Sequence, residues 1–345
     1  LCYFGPAKID PMHLATYIKD GHEQAALLVD GWLYDMDGLH PELPNTVSML
    51  LQYWDEYFPV LQGAPIMIRE GKISQRNAIK LDEAVLTAPV PHPTSCRDGY
   101  AFRQHVEAAR RNRKVPMIPE FDQYPIFYYT NHNAILGPGD IPCMPDHFDK
   151  LDFELECAIV ICKEGRNIRA AEADQYIGGF MIMNDMSART LQMEEMLLNL
   201  GPAKGKDFAT VIGPVLVTPD ELEERLVPPP PGHTGNAYDL TMTCRVNGVE
   251  VSRGNLKDMA WTFAEIIERA SYGVTLYPGD VIGSGTVGTG CLLEINGTGK
   301  LQDPGYAEQW LQEGDVVEMD IDDLGTLRNT ITREEDDFSL LAIKK

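Results

Sequence analysis

Asp152-Phe153-Glu154-Leu155-Glu156-Cys157-Ala158-Ile159-Val160-Ile161 is a run in which an apolar segment is entered through alternating acids. From Glu154 to Cys162 it is strand-sized. Successive side chains of a strand point to opposite faces, so Glu154 and Glu156 share one face about 7 Å apart along the chain. Two carboxylates side by side at the start of an otherwise apolar strand repel each other. Either that face is solvated, or a cation joins the acids.

Outward from this strand the pattern stays strand-rich. Phe180 to Asn184, Val211 to Val217, Leu240 to Val246, Val281 to Gly283 and Val316 to Ile321 read as further strands, and Asn247-Gly248 is the strongest hairpin signal. Helical spacing predicts helices over Phe102 to Arg113, Ala188 to Leu198 with Ser187 as N-cap, and Met259 to Ala270 with Asp258 as cap. Strands and helices do not alternate regularly, which argues against a doubly wound sheet. The fold class is α+β, β-rich, with mixed sheets. Towards the N-terminus, His13 to Tyr17, Ala25 to Asp30 and Trp32 to Met36 read as short strands, and residues 45 to 60 carry an apolar helical stripe. Pro89, Pro91 and Pro93 suit an extended crossover. The boundary falls there, giving a small N-terminal β-domain over residues 1–85 and a larger domain over 86–345.

The chain has 345 residues, 44% of them hydrophobic and 8% aromatic, enough for a large core. No stretch has the roughly 20 apolar residues that span a bilayer, and no signal-peptide pattern opens the sequence. A net charge of −23 leaves no basic surplus for nucleic acid and repels anionic membranes. An acidic chain that binds an acid needs a local cation, from a metal or from placed Arg and Lys. The scattered cysteines (Cys2, Cys96, Cys143, Cys157, Cys162, Cys244 and Cys291) form no C-x-x-C pair. Reduced thiols in a cytoplasmic protein account for them. Gly283, Gly285 and Gly288 match G-x-G-x-x-G, but Cys291 to Ile295 reads as a strand where a dinucleotide site needs a helix.

A further acid, Asp185, ends the apolar strand Phe180 to Met183. It is either a helix cap or one member of a charged group, because an acid in apolar surroundings is costly unless paired. Oxygen-only ligands favour a hard cation over zinc. Arg189 and Gln192 lie three apart on the next helix and face the same way. Lys206 follows in a glycine-bounded loop. By spacing alone these three are surface residues.

In this order the residues resemble the fumarylacetoacetase family. Met183-Asn184-Asp185-Met186-Ser187-Ala188-Arg189 is similar to its N-D-x-S-A-R signature, and Gln192 with Gly205-Lys206-Asp207-Phe208 continues the match. Arg97-Asp98-Gly99-Tyr100-Ala101-Phe102-Arg103-Gln104-His105 is similar to its D-x-Y-x-x-R-Q-H segment. Tyr277-Pro278-Gly279-Asp280, Gly285-Thr286 and Leu293-Glu294 fit downstream. The resemblance implies a divalent cation, Mg²⁺ first and Ca²⁺ or Mn²⁺ next, held by Asp98, Glu154, Glu156 and Asp185. It implies His105 as general base oriented by Glu294, with Arg189, Gln192 and Lys206 around an oxyanion and Tyr100, Tyr128 and Thr286 against substrate. The implied fold is a mixed β-sandwich roll after a small SH3-like N-terminal β-domain, dimerising through the large domain.

Such a set suits hydrolysis of a carbon–carbon bond in a β-diketo acid, fumarylacetoacetate or another acylpyruvate. The cation polarises the carbonyl, His105 activates water and the cationic donors hold the tetrahedral oxyanion. Tyr128-Tyr129-Thr130-Asn131-His132-Asn133 does not reproduce the Y-H-G-R run of the animal-type enzymes, so substrate contacts differ. Two alternatives stand beside hydrolysis. One is a lyase on the same scaffold, decarboxylating oxaloacetate or hydrating a keto acid; the other is a non-catalytic protein binding a divalent ion or keto acid.

Overall fold

The computed structural model describes residues 12–344; Cys2 lies outside them. The run that opens the reading becomes a strand, Leu155–Ile161, buried along its whole length. Burial on both faces explains why its sequence is a continuous apolar block rather than an alternation. Leu155, Cys157, Ile159 and Ile161 face one core, while Ala158, Val160 and Cys162 face another.

Fifteen strands carry the architecture. They are β1 (His13–Lys19), β2 (His22–Val29), β3 (Trp32–Asp35), β4 (Ile79–Lys80), β5 (Ser95–Gly99), β6 (Phe127–Thr130), β7 (Gly139–Cys143), β8 (Leu155–Ile161), β9 (Ile177–Asp185), β10 (Thr210–Val217), β11 (Thr241–Val246), β12 (Val249–Asn255), β13 (Asp280–Gly283), β14 (Val316–Ile321) and β15 (Gly325–Arg333). The large mixed sheet runs β4-β3-β2-β1-β10-β9-β8-β13-β5-β6, with two short strands paired to its β1 and β10. The smaller sheet runs β12-β11-β14-β15-β7 and stacks on β8, β9 and β10. This is the mixed, β-rich α+β class expected. The N-terminal strands are hydrogen-bonded into the large sheet, His13 of β1 opposite Val217 of β10.

Among the described residues, six α-helices longer than one turn pack on these sheets: α1 (Val47–Gln52), α2 (Trp54–Arg69), α3 (Arg103–Asn112), α4 (Arg189–Met196), α5 (Phe263–Ser271) and α6 (Leu292–Gln302). Leu50, Leu51, Trp54 and Leu61 of α1 and α2 cover one face of the large sheet. The other face meets the smaller sheet through Phe180, Ile182, Met242, Met319 and Leu327.

Several local expectations are corrected. The apolar stripe at 45 to 60 is two helices that meet at Tyr53. Helix α4 starts at Arg189 with Ala188 at its N-cap, because the Ser187 hydroxyl is occupied donating to the Asp185 carbonyl at 3.0 Å. Helix α5 starts four residues beyond Met259, capped by Thr262 in a reciprocal capping box with Glu265. Cys291 to Ile295 is not a strand but the start of α6, whose Gly297 and Gly299 weakened the helical signal. Those glycines leave room for neighbours: a Cβ would fall 2.5 Å from Asn112 at Gly297 and 2.6 Å from Tyr306 at Gly299.

Candidate active site

The large sheet brings four acids from distant parts of the chain to one point. Asp98 is near the end of β5, which pairs in parallel with β13 so that Asp98 lies opposite Gly283. Glu154 immediately precedes β8, Glu156 lies in it, and Asp185 ends the neighbouring β9. Ligand oxygens of Asp98, Glu154, Glu156 and Asp185 lie within 4.8 Å of one another, and all four residues are buried.

The glycine run after β13 is the floor of this cluster. A Cβ at Gly283 would sit 2.6 Å from an Asp98 oxygen and 3.0 Å from one of Glu156. Gly285, at φ +82°, donates its backbone N–H to Asp98 and to Glu156, each at 3.1 Å. Thr286 donates its hydroxyl to Glu156 at 3.3 Å. A helix does follow these glycines, contrary to expectation, but its N-terminus is taken: Leu292 and Leu293 donate their N–H groups to Asp152 at 2.7 and 3.0 Å. No pyrophosphate can use those donors, so the motif is still not a dinucleotide loop, for a different reason.

Cations enter from the loop before β10 and from α4. Lys206 donates to Glu154 and, at 2.6 Å, to Asp185. Gly205 permits this, since a Cβ there would fall 2.6 Å from the backbone of Gln192. Arg189 donates to Glu154 at 2.7 Å, to Asp152 at 2.8 Å and to the Gln192 side chain at 2.9 Å. Tyr128, on β6, donates its hydroxyl to Asp185. Burial pushes Asp98 up to about 7, and the charges of Asp185 and Glu154 add to this. Burial, then the Asp98 charge, pushes Glu156 well above the usual carboxylate range. Glu154 moves the other way: burial opposes it, but Lys206 and Arg189 hold it well below its ordinary value. The same acids hold Lys206 as an ammonium against the opposing effect of burial.

The donor set fits a hard divalent cation. Asp185 Oδ1 is buried and has no hydrogen-bond partner among the described residues. Arg189 divides its charge between Asp152 and Glu154, which leaves the four carboxylates with the Lys206 ammonium and part of one guanidinium. An all-oxygen group of this kind suits Mg²⁺, Ca²⁺ or Mn²⁺.

Beside the acids, His105 of α3 directs Nδ1 at a Glu294 oxygen of α6, 2.7 Å away, with both side chains buried. The other Glu294 oxygen accepts from the Thr289 N–H at 3.0 Å. Tyr100 packs edge-on to the imidazole at 5.9 Å between centroids. A cavity of about 510 Å³ opens here, and Asp98, Tyr100, His105, Tyr128, Glu154, Arg189, Gln192, Lys206, Thr286 and Glu294 all contribute to its wall. Glu156 and Asp185 lie beneath it, fully buried. Every residue anticipated from sequence therefore converges on one place. Asp152 was not anticipated: a fully buried carboxylate joining Arg189 to the start of α6. Its signal was available, for it precedes Glu154 and Glu156 at the same spacing of two.

A sequence model of the fumarylacetoacetate hydrolase C-terminal region matches residues 94–332, which contain every one of these side chains. The chain belongs to that family. Among curated family members, the rat protein named oxaloacetate tautomerase Fahd2a, mitochondrial, is 28% identical over 324 residues, covering 92% of this chain and 89% of its own. The cattle protein named oxaloacetate tautomerase FAHD2A, mitochondrial, is 30% identical over 309 residues, covering 87% and 84%. Fumarylacetoacetate hydrolase from psychrophilic Exiguobacterium antarcticum superposes with a TM-score of 0.67 at 24% identity, over 94% of this chain and 100% of that one. At that identity the likeness is one of fold. No helix among the described residues is long and apolar enough to cross a membrane.

Proposed function

We propose that this chain enolises a small keto acid of the oxaloacetate type, moving a proton between C3 and the C2 carbonyl oxygen. The observation that carries this reading is the Glu294-anchored His105 in one cavity with the buried cations Lys206 and Arg189. The names of the rat and cattle relatives, similar over most of their length, support the substrate type.

Glu294 accepts from Nδ1–H of His105, which assigns the lone pair to Nε2 and makes that atom the base. Nε2 takes the C3 proton to leave the enolate, and Glu294 stabilises the imidazolium so formed. The imidazolium then gives that proton to the C2 oxygen to complete the enol; the reverse sequence returns it to C3. Lys206, locked as an ammonium by Glu154 and Asp185, is no base; it offers charge and a donor to the enolate oxygen. Arg189 and Gln192 add donors on the same side, each such donor contributing on the order of 3 kcal/mol in comparable sites. A divalent cation held by Asp98, Glu154, Glu156 and Asp185, Mg²⁺ being our first choice, supplies Lewis-acid polarisation of the keto oxygen when bound.

Hydrolysis of a β-diketo acid is the second reading, favoured by the same 2.7 Å His105–Glu294 contact, which equally suits activation of water. Loss of CO₂ from oxaloacetate would instead break the C3–C4 bond and leave the enolate of pyruvate, whose oxygen the same cations could hold. One experiment separates the three. Oxaloacetate, acetylpyruvate and fumarylacetoacetate are each followed by proton NMR in D₂O with Mg²⁺. Accelerated keto–enol interconversion and C3 deuteration of oxaloacetate, with no fragments, is the expected result. Release of pyruvate from oxaloacetate assigns the decarboxylase, and release of two acid fragments from a diketone assigns the hydrolase. A homodimer, and residence in the mitochondrion as those relatives' names state or in the cytoplasm as the thiols suggest, belong to the same proposal; sedimentation and fractionation test them.

A further inference from the structure

The helices around the cavity share one gradient. On α4, Arg189 and Gln192 lie nearest the acids, while Met193 and Met196 follow four and seven residues after Arg189 on the same face. At a rise of about 1.5 Å per residue, Met196 stands roughly 10 Å along the helix from Arg189. On α3 the sequence repeats the arrangement, with Ala109 one turn beyond His105 and Asn112 two turns beyond. Ile126 and Phe127 at the start of β6, Leu293 of α6 and Trp310 complete this outer wall. Its six large side chains are apolar, with Met193 40% exposed, Met196 44% and Ile126 49%, while Asn112, Arg113, Lys150 and Glu308 also reach the cavity wall.

A four-carbon keto diacid leaves this wall unused. Its roughly nine heavy atoms are engaged at the inner end by Lys206, Arg189 and His105, whereas a cavity of this size suits a considerably larger ligand. Apolar side chains facing an open cavity gain from covering by apolar atoms. We infer that the outer half of the cavity, lined by Ile126, Phe127, Met193, Met196, Leu293 and Trp310, is a subsite for an apolar tail, so that the preferred substrate is a keto acid bearing an alkyl or aryl extension of about two helical turns in length. This rests on the keto-acid reading above, since it takes that end of the ligand to sit against the cations.

The test uses binding of ligands that cannot react. Oxamate and N-alkyl oxamates from methyl to hexyl are titrated calorimetrically into the Mg²⁺-loaded protein. Affinity is expected to rise about three- to fourfold per methylene over the first several carbons, the factor for full burial of a CH₂ group. Met196→Glu is expected to flatten that series, and Phe127→Ala to reduce its slope. Oxamate bound with no dependence on chain length overturns the subsite and leaves the keto-acid reading standing. No binding by any member of the series overturns both. A wild-type slope kept in both variants overturns the assignment of the tail to this wall.

Discussion

Asp152→Asn tests whether the two cationic and basic halves of the site are held together by one carboxylate. Each Asp152 oxygen accepts twice: Oδ1 from the N–H groups of Phe153 and Leu292, Oδ2 from Leu293 N–H and Arg189 Nε. An amide can satisfy one of these pairs and must turn its own NH₂ towards the other pair, donor against donor. Removing one partner of a buried ion pair costs about 3–5 kcal/mol. Arg189 keeps Glu154 at 2.7 Å, so the lower end applies, about 3 kcal/mol. With an unfolding entropy near 2.1 cal/mol/K per residue, that lowers Tm by about 4 °C in a chain of this length. Function should suffer more than stability. Arg189 and the first turn of α6, which carries Glu294, lose their common anchor, and misplacement of about 1 Å costs on the order of 100-fold in rate. Asp280→Asn is the control: Asp280 is buried and paired with Arg97 at 3.4 Å, yet it does not reach the cavity. Steady-state kinetics and thermal melts on both variants decide. A kcat for Asp152→Asn within twofold of wild type, or an equal fall in kcat for Asp280→Asn, refutes the anchoring argument.

His105→Ala should lower turnover by about 10²–10⁴-fold while leaving Mg²⁺ affinity within twofold, because His105 is not among the four clustered acids; turnover that survives removes it from the chemistry. Glu154→Gln should weaken Mg²⁺ binding by at least tenfold in calorimetry, and chelator should abolish activity that Mg²⁺ or Mn²⁺ restores; chelator-resistant turnover by ion-free protein contradicts the metal assignment. His147 stacks on Phe208 and accepts from the Met144 N–H through Nδ1, and burial first, then Lys204, lowers its pKa from 6.5 to about 4. The unfolded chain then binds more protons between those values, so stability is full above pH 6.5 and falls as the pH drops towards 4, by at most about 3 kcal/mol. Urea melts of His147→Asn, which keeps an acceptor without the titration, should show a shallower slope in that window.

Much of the site could be read before the fold was known, and the reason is local. Glu154, Glu156 and Asp185 are acids at the ends of strands whose other positions are apolar, a pattern that asks for a partner wherever the strand lies. Asp98 has no such mark. It joins the cluster only through the parallel pairing of β5 with β13, across nearly two hundred residues. Asp152 carried the right spacing, but its burial depends on α6 docking above it, and α6 itself was hidden by Gly297 and Gly299. Those glycines answer tertiary contacts with Asn112 and Tyr306 rather than helix propensity. The outer wall escaped for a similar cause. Met193 and Met196 on an amphipathic helix look like core residues until the neighbouring elements are seen to leave them open.

The charge of the chain gives these placements a common logic. With a net charge of −23 the molecule repels an anionic keto acid at long range. Capture must therefore come from short-range cations, and in low dielectric such cations act strongly only if they are fixed. Lys206 and Arg189 are fixed by the very acids that create the demand for a metal ion: Glu154 binds both, and Asp152 and Asp185 each bind one. Neutralising Lys206 leaves Asp185 and Glu154 short of a partner, and neutralising either acid frees Lys206 to turn. Substrate capture and cation binding are thereby linked through Glu154. The sign of that link follows: a divalent ion held by Glu154 would draw its charge away from Lys206 and Arg189 and would leave both more available to an incoming carboxylate or enolate.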